Sequence, residues 1–148
     1  MDKKKLLVFG ASNSKHSINK RLAVYVAHQL KDVQVNVVDL NDYELPIYSI
    51  DLEKESGIPE NALRFVALIE SCEAIVVSFA EHYGLFSSAF KNLWDWMSRT
   101  GSPKIWKDKP MFLLCTSPGA RTEKYVLKVA RDIFPAFGAK IIAEFHLR

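Results

Sequence analysis

The sequence predicts a doubly wound α/β domain, five parallel strands in the order 2-1-3-4-5 with helices on both faces. Three observations lead there. Apolar, β-branched runs occur at residues 5–10, 33–40, 73–79, 110–117 and 139–145. The first, third and fourth of them hardly alternate, as central parallel strands covered on both sides should not. Stretches of helical spacing separate the runs, so that strand and helix alternate along the chain and right-handed crossovers follow.

The elements can be justified in order. After "KLLVFG" comes a stripe of Ile18, Leu22, Val26 and Leu30, four residues apart, which predicts the first helix. "VQVNVVDL" is the second strand. Residues 41–60, with Pro46, Pro59 and many acidic side chains, read as one long irregular connection of the kind that is usually functional or disordered. Phe65, Val66 and Ile69 mark the next helix, and "EAIVVSF" the third strand. Phe86, Phe90, Leu93 and Met97 then form a helical stripe. Trp94 and Trp96 fall on different sides of it, which leaves one of them for a subunit contact. "PMFLLCTS" is the fourth strand, Val126, Val129, Ile133 and Phe137 the last helical stripe, and "AKIIAEF" the fifth strand. A final covering helix is missing after it.

With 148 residues, 49% of them hydrophobic, residues 1–148 make a single domain able to bury its own core. The two cysteines, Cys72 and Cys115, both lie in apolar segments and read as buried thiols in a reducing compartment. The basic, apolar start "MDKKKLLVFGAS" is too short for an export signal, and no stretch is long enough to span a bilayer. We expect a cytoplasmic protein without a membrane partner. The net charge of +3 is concentrated in the second half, but no basic run interleaved with aromatics suggests nucleic-acid binding. His16, His28, His82 and His146 lack the spacing of a metal site.

In this order of strands, which is flavodoxin-like, a ligand crevice opens where the winding reverses, at the carboxyl ends of strands 1 and 3. Of six glycines, Gly10, Gly84 and Gly119 stand at or just past the ends of strands 1, 3 and 4. The join "GASNSKHSIN" places backbone N–H groups at a helix N-terminus, where an anion is favoured. Ser12, Ser14, Ser17 and Asn19 add side-chain donors and Lys15 and His16 add charge at the rim; Ser17 or Asn19 could equally serve as a helix cap. The loop has neither the second glycine of a Walker A motif nor G-x-G-x-x-G, and it suits a single terminal phosphate. The absence of that glycine fingerprint also argues against Asp39 as the ribose-binding acid of a Rossmann domain.

The pattern S-x-S-x-x-S-x-N at Ser12 to Asn19 resembles the phosphate loop of the NADPH-dependent FMN reductases, whose relatives include azo, quinone and chromate reductases. "DLNDYELPIY" (39–48) is similar to the family's stretch ending in Leu-Pro-x-Tyr. "AEHYGLFSSAFKNLWDWMSR" (80–99) is similar to its Pro-Glu-Tyr-Asn loop and Leu-Lys-Asn-x-x-Asp-Trp helix, and "TSPGAR" (116–121) to its third flavin loop. The resemblance implies that Ser12, Ser14, Ser17, Ile18 and Asn19 hold the FMN phosphate, with Ser14 where many members have arginine. It places Glu81, His82, Tyr83 and Gly84 along the isoalloxazine ring, His82-Tyr83 standing for the usual Tyr-Asn, and Ser117, Pro118, Gly119 and Ala120 on the ring's other border.

The implied activity is hydride transfer from NADPH or NADH to FMN, then electron release to a small acceptor such as a flavin, quinone, azo compound or metal oxyanion. No obligatory catalytic side chain is needed. A flavin-binding electron carrier, or a non-catalytic flavin-binding module, is the alternative. Arg121, Lys124, Lys128 and Arg131 either favour the 2′-phosphate of NADPH or form a solvated helix face. A homodimer, the family's common state, is expected.

Overall fold

The computed structural model describes residues 2–118 and 125–148. Its main sheet has five parallel strands in the order β2-β1-β3-β6-β7: β1 (Lys4–Ala11), β2 (Val33–Val38), β3 (Ala74–Phe79), β6 (Pro110–Thr116) and β7 (Lys140–Leu147). Counting only these strands, the order is the predicted 2-1-3-4-5. The three unalternating runs are the three inner strands. Leu7 and Phe9 of β1 enter one core with Ile75, Val77, Met111 and Leu113, while Leu6 and Val8 enter another with Val76 and Leu114. Each inner strand buries both sets of side chains, and this is why its sequence shows no polar face.

The helices α1 (Ile18–Ala27), α2 (Ile50–Ser56), α3 (Glu60–Ser71), α4 (Ser88–Met97) and α5 (Tyr125–Ile133) fill the connections. The larger core lies beneath α3, α4 and α5, and α1 covers the opposite face. Two of the expected stripes are rotated. In α1 the buried positions are Asn19, Leu22, Ala23 and Ala27, with Ile18 and Leu30 exposed. In α5 and the 3₁₀ turn after it, Val126, Leu127, Ala130 and Phe134 are buried, while Ile133 and Phe137 face outward. Alanines let these helices approach the sheet closely, so the larger apolar side chains do not mark the inner face.

The connection over residues 41–60 is not irregular. It contains a 3₁₀ turn (Leu40–Tyr43) and α2, and α4 fastens it. Asn92 accepts from the Tyr48 N–H at 2.9 Å and donates to the Pro46 carbonyl at 3.0 Å. The Trp96 indole donates to the same carbonyl at 2.7 Å, and the Tyr48 ring meets the Trp96 ring edge-on. Arg99 pairs with Glu53 at 2.9 Å, and the Tyr48 hydroxyl donates to the same carboxylate. The Arg99 guanidinium and then the Tyr48 hydroxyl hold the Glu53 carboxyl below its usual range. The Leu-Pro-x-Tyr segment and the Lys-Asn-x-x-Asp-Trp helix are thus two halves of one contact. Neither tryptophan is left over for a subunit contact, since Trp96 is sealed by this connection and Trp94 packs edge-on against Phe86, Phe134 and Phe137.

Candidate functional site

The crevice begins at the end of β1. A Cβ placed on Gly10 would stand 2.5 Å from the Lys20 backbone nitrogen and 2.7 Å from its Cα. Only glycine lets the first turn of α1 come so near the strand. The loop between them is organised by its own serines: Ser12 Oγ accepts from the Ser14 N–H, Ser14 Oγ from the His16 N–H, and Ser17 Oγ from the Lys20 N–H. Ser17 is therefore the N-cap of α1. A hydroxyl that accepts a hydrogen bond keeps its own proton to donate, so the three remain able to serve an anion.

Lys15 and His16 are the exposed basic residues of the loop. Lys20 instead turns toward Asp39 at the end of β2, Nζ to Oδ2 2.6 Å. Chiefly through that hydrogen bond, aided by the backbone and side-chain amides of Asn41 and opposed by burial, the Asp39 carboxyl is held below its ordinary range.

Asn19 behaves differently from the serines. Its side chain points inward, almost wholly buried. Its Oδ1 accepts from the Ser78 hydroxyl at 2.7 Å and from the Thr116 N–H at 3.0 Å, and its Nδ2 donates to the Thr116 carbonyl at 3.0 Å. Ile18, assigned to the same phosphate loop, begins α1 with an exposed side chain, so what it offers the loop is its backbone.

The segment after β3 forms a hairpin that sequence reading did not anticipate. β4 (Glu81–His82) pairs antiparallel with β5 (Leu85–Phe86) around a two-residue turn, Tyr83 and Gly84, whose φ angles are 50° and 84°. Two consecutive positive φ angles define the type I′ turn, which favours Asn-Gly. Here a tyrosine takes the left-handed conformation at the first turn position, with its side chain entirely in solvent.

Glu81 turns away from the hairpin tip, its carboxylate accepting the Val126 N–H at 3.0 Å in the first turn of α5. Ser87 joins the start of α4 to the end of β1, donating to the Ala11 carbonyl at 2.8 Å while capping α4 through the Phe90 N–H. Ser117 and Pro118 follow β6 at the same carboxyl edge, whereas Gly119 and Ala120, assigned to the ring, and Arg121 and Lys124 lie outside the described residues.

A cavity of about 690 Å³ opens between these parts, lined by Asn13, His82, Leu85, Phe86, Trp94 and Ile133 among others. A second, of about 520 Å³, lies on the other side of Asn13, between the 40–47 segment and α4. Asn13 borders both, and the resemblance did not select it. Its position inside the serine loop was the available signal. Hydroxyl donors and a capped helix N-terminus suit the FMN phosphate, and a largely apolar cavity within the usual size of ligand sites suits a planar ring. Of the described residues assigned to FMN, His82 lines this cavity, and the hydroxyls of the serine loop suit the phosphate by their chemistry.

Such a sheet, with helices on both faces, defines a flavodoxin-like α/β protein. Residues 4–147 match the NADPH-dependent FMN reductase family, and the chain belongs to that family. Membership makes it an oxidoreductase that uses FMN with a nicotinamide nucleotide as electron donor.

The chain is 29% identical over 141 residues to an uncharacterized protein of Mycoplasma pneumoniae, covering 93% of this chain and 82% of that one. It is 32% identical over 117 residues to a 2-hydroxy-1,4-benzoquinone reductase of Burkholderia sp, 78% of this chain but 62% of the reductase. Among solved structures, the flavoenzyme NAD(P)H:(acceptor) oxidoreductase of Paracoccus denitrificans superposes with a TM-score of 0.71 at 24% identity, covering 98% of this chain and 75% of that one. Among the described residues no helix is long and apolar enough to cross a membrane.

Proposed function

We propose that this protein is an FMN-dependent NAD(P)H oxidoreductase that accepts hydride from the nicotinamide and passes electrons to a small acceptor, a quinone or azo compound. The observation that carries the reading is a largely apolar cavity lined by Asn13 of the serine loop and by His82, Leu85 and Phe86 of the hairpin, with Ser87 tying the start of α4 to the end of β1 beside it. The relative that reduces 2-hydroxy-1,4-benzoquinone favours a quinone as acceptor.

In this reading Ser12, Ser14, Ser17 and the N–H groups of Ile18 and Asn19 bind the phosphate. His82, Tyr83 and Gly84 lie along one border of the ring, and Ser117 and Pro118 along the other. Phe86 and Trp94 keep water from the cavity. Bound FMN supplies the two-electron redox chemistry, so the chain's own work is binding, orientation and exclusion of solvent.

Beside the cavity, Leu85, Ile133 and Phe137 leave apolar surface exposed, and a second copy of the chain covers it. A monomer mass by light scattering at assay concentration would reject the homodimer. The buried thiols of Cys72 and Cys115 suit a reducing, cytoplasmic setting.

The test is steady-state oxidation of NADPH, and separately of NADH, by the FMN-loaded protein with benzoquinone or an azo dye. Turnover that requires both FMN and acceptor supports the proposal. Tight FMN binding without turnover would replace it with an electron carrier.

A further inference from the structure

The phosphate side and the ring side of the crevice belong to different elements, and something must fix the distance between them. The β3–β6 register ends at the pair Phe79 and Cys115, one residue short of Thr116, which pairs with Leu147 of β7. The Asn19 carboxamide takes the N–H and carbonyl of Thr116, at 3.0 Å each, as a neighbouring peptide would. The same Oδ1 accepts the Ser78 hydroxyl at 2.7 Å, so one side chain ties the first turn of α1 to β3 and to the last residue of β6. Asn19 is 3% exposed and Ser78 is fully buried, which makes these bonds costly to break and hard for water to replace. Ser17 caps the same turn of α1, and Ser117 directly follows the residue that Asn19 holds.

We propose that the Asn19 side chain is a positioning residue rather than a phosphate ligand: with Ser78 it sets the spacing between the serine loop and the end of β6, from which Ser117 and Pro118 continue. The inference rests on the FMN reading and refines it. A carboxamide that held the phosphate would matter only for flavins that carry one. A strut between α1 and the end of β6 matters equally for a flavin without phosphate, because the placement of the carboxyl end of β6 is lost.

The experiment is fluorescence titration of wild type, Asn19→Ala and Ser78→Ala with FMN and with riboflavin, at a temperature where circular dichroism shows each variant folded. We expect Asn19→Ala to weaken both flavins by roughly ten-fold or more, with the FMN-to-riboflavin affinity ratio unchanged within about two-fold. Ser78→Ala, which removes one bond of the three and lies on β3, should reproduce the pattern at smaller size. It also keeps the test alive if Asn19→Ala does not fold.

Loss confined to FMN in Asn19→Ala overturns the proposal, as does unchanged affinity for both flavins in a folded variant. If wild type binds neither flavin, the FMN reading falls and takes the inference with it. Wild-type binding with an FMN-only loss removes the inference alone.

Discussion

Replacing Gly10 by alanine tests how the strand, the helix and the anion loop depend on one another. The added Cβ would lie 2.5 Å from the Lys20 nitrogen, 2.7 Å from its Cα and 2.9 Å from its Cβ. Ordinary contact begins at about 3.5 Å, so the first turn of α1 must retreat by roughly 1 Å. Two of the three clashing atoms are backbone, and no rotamer change relieves them. Overpacking of this kind costs roughly 1–3 kcal/mol, and a backbone clash belongs at the upper end. Gly10 has no positive φ, so alanine adopts its conformation and recovers about 0.4–1 kcal/mol by restricting the unfolded chain. The net loss is about 2 kcal/mol, a fall in Tm of roughly 4–8 °C for a chain of this size. Thermal unfolding followed by circular dichroism measures it, and FMN titration of the folded variant should show weaker binding because the loop moves with the helix. A Gly10→Ala protein that melts within a degree of wild type would refute the close approach and the reasoning built on it.

Three further outcomes are expected. Trp96→Phe removes the indole bond to the Pro46 carbonyl while nearly keeping the ring, and should cost about 1–2 kcal/mol in urea unfolding and speed proteolysis within residues 45–53; unchanged cleavage would mean that α4 does not fasten the connection. Tyr83→Asn substitutes a residue that tolerates positive φ for one with no core contacts, and should raise stability by roughly 0.5–1 kcal/mol in the same assay; a loss would mean that the exposed ring is held by something else. Asp39 has a lowered folded-state pKa, so its contribution is complete above the ordinary aspartate range and is lost as pH falls through the folded value. Asp39→Asn should therefore cost about 0.5–1 kcal/mol at pH 7 and progressively less as pH falls below the ordinary aspartate range; a cost that does not change with pH would mean that the charge of Asp39 contributes nothing.

The strands were legible because the inner ones bury both faces, and their unbroken runs lie within two residues of the observed ends. Helix faces were less so. Ala23, Ala27 and Ala130 carry little hydrophobic weight, yet their small size lets the helices approach the sheet, and Ile133 and Phe137 were misread as inward for that reason. The order in residues 41–60 comes from Asn92, Trp96 and Arg99, which are more than forty positions away, and no local pattern encodes a bond of that range.

The serine loop was recognisable from residue types alone as the entry to a helix, and Ser17 does cap α1. What the sequence could not say was where each polar group would turn. Asn19 has the composition of a ligand and the geometry of a strut, and Glu81 caps α5 instead of following the hairpin tip. The hairpin itself hid behind Tyr83, because a tyrosine in a left-handed turn lacks the Asn-Gly signature that would have announced it.

The most direct test of the central claim is the visible absorbance of the purified protein, loaded with FMN without oxygen and then mixed with NADPH. The account predicts that the flavin band bleaches rapidly to the two-electron reduced form. A retained FMN band that stays oxidised under excess NADPH would contradict it.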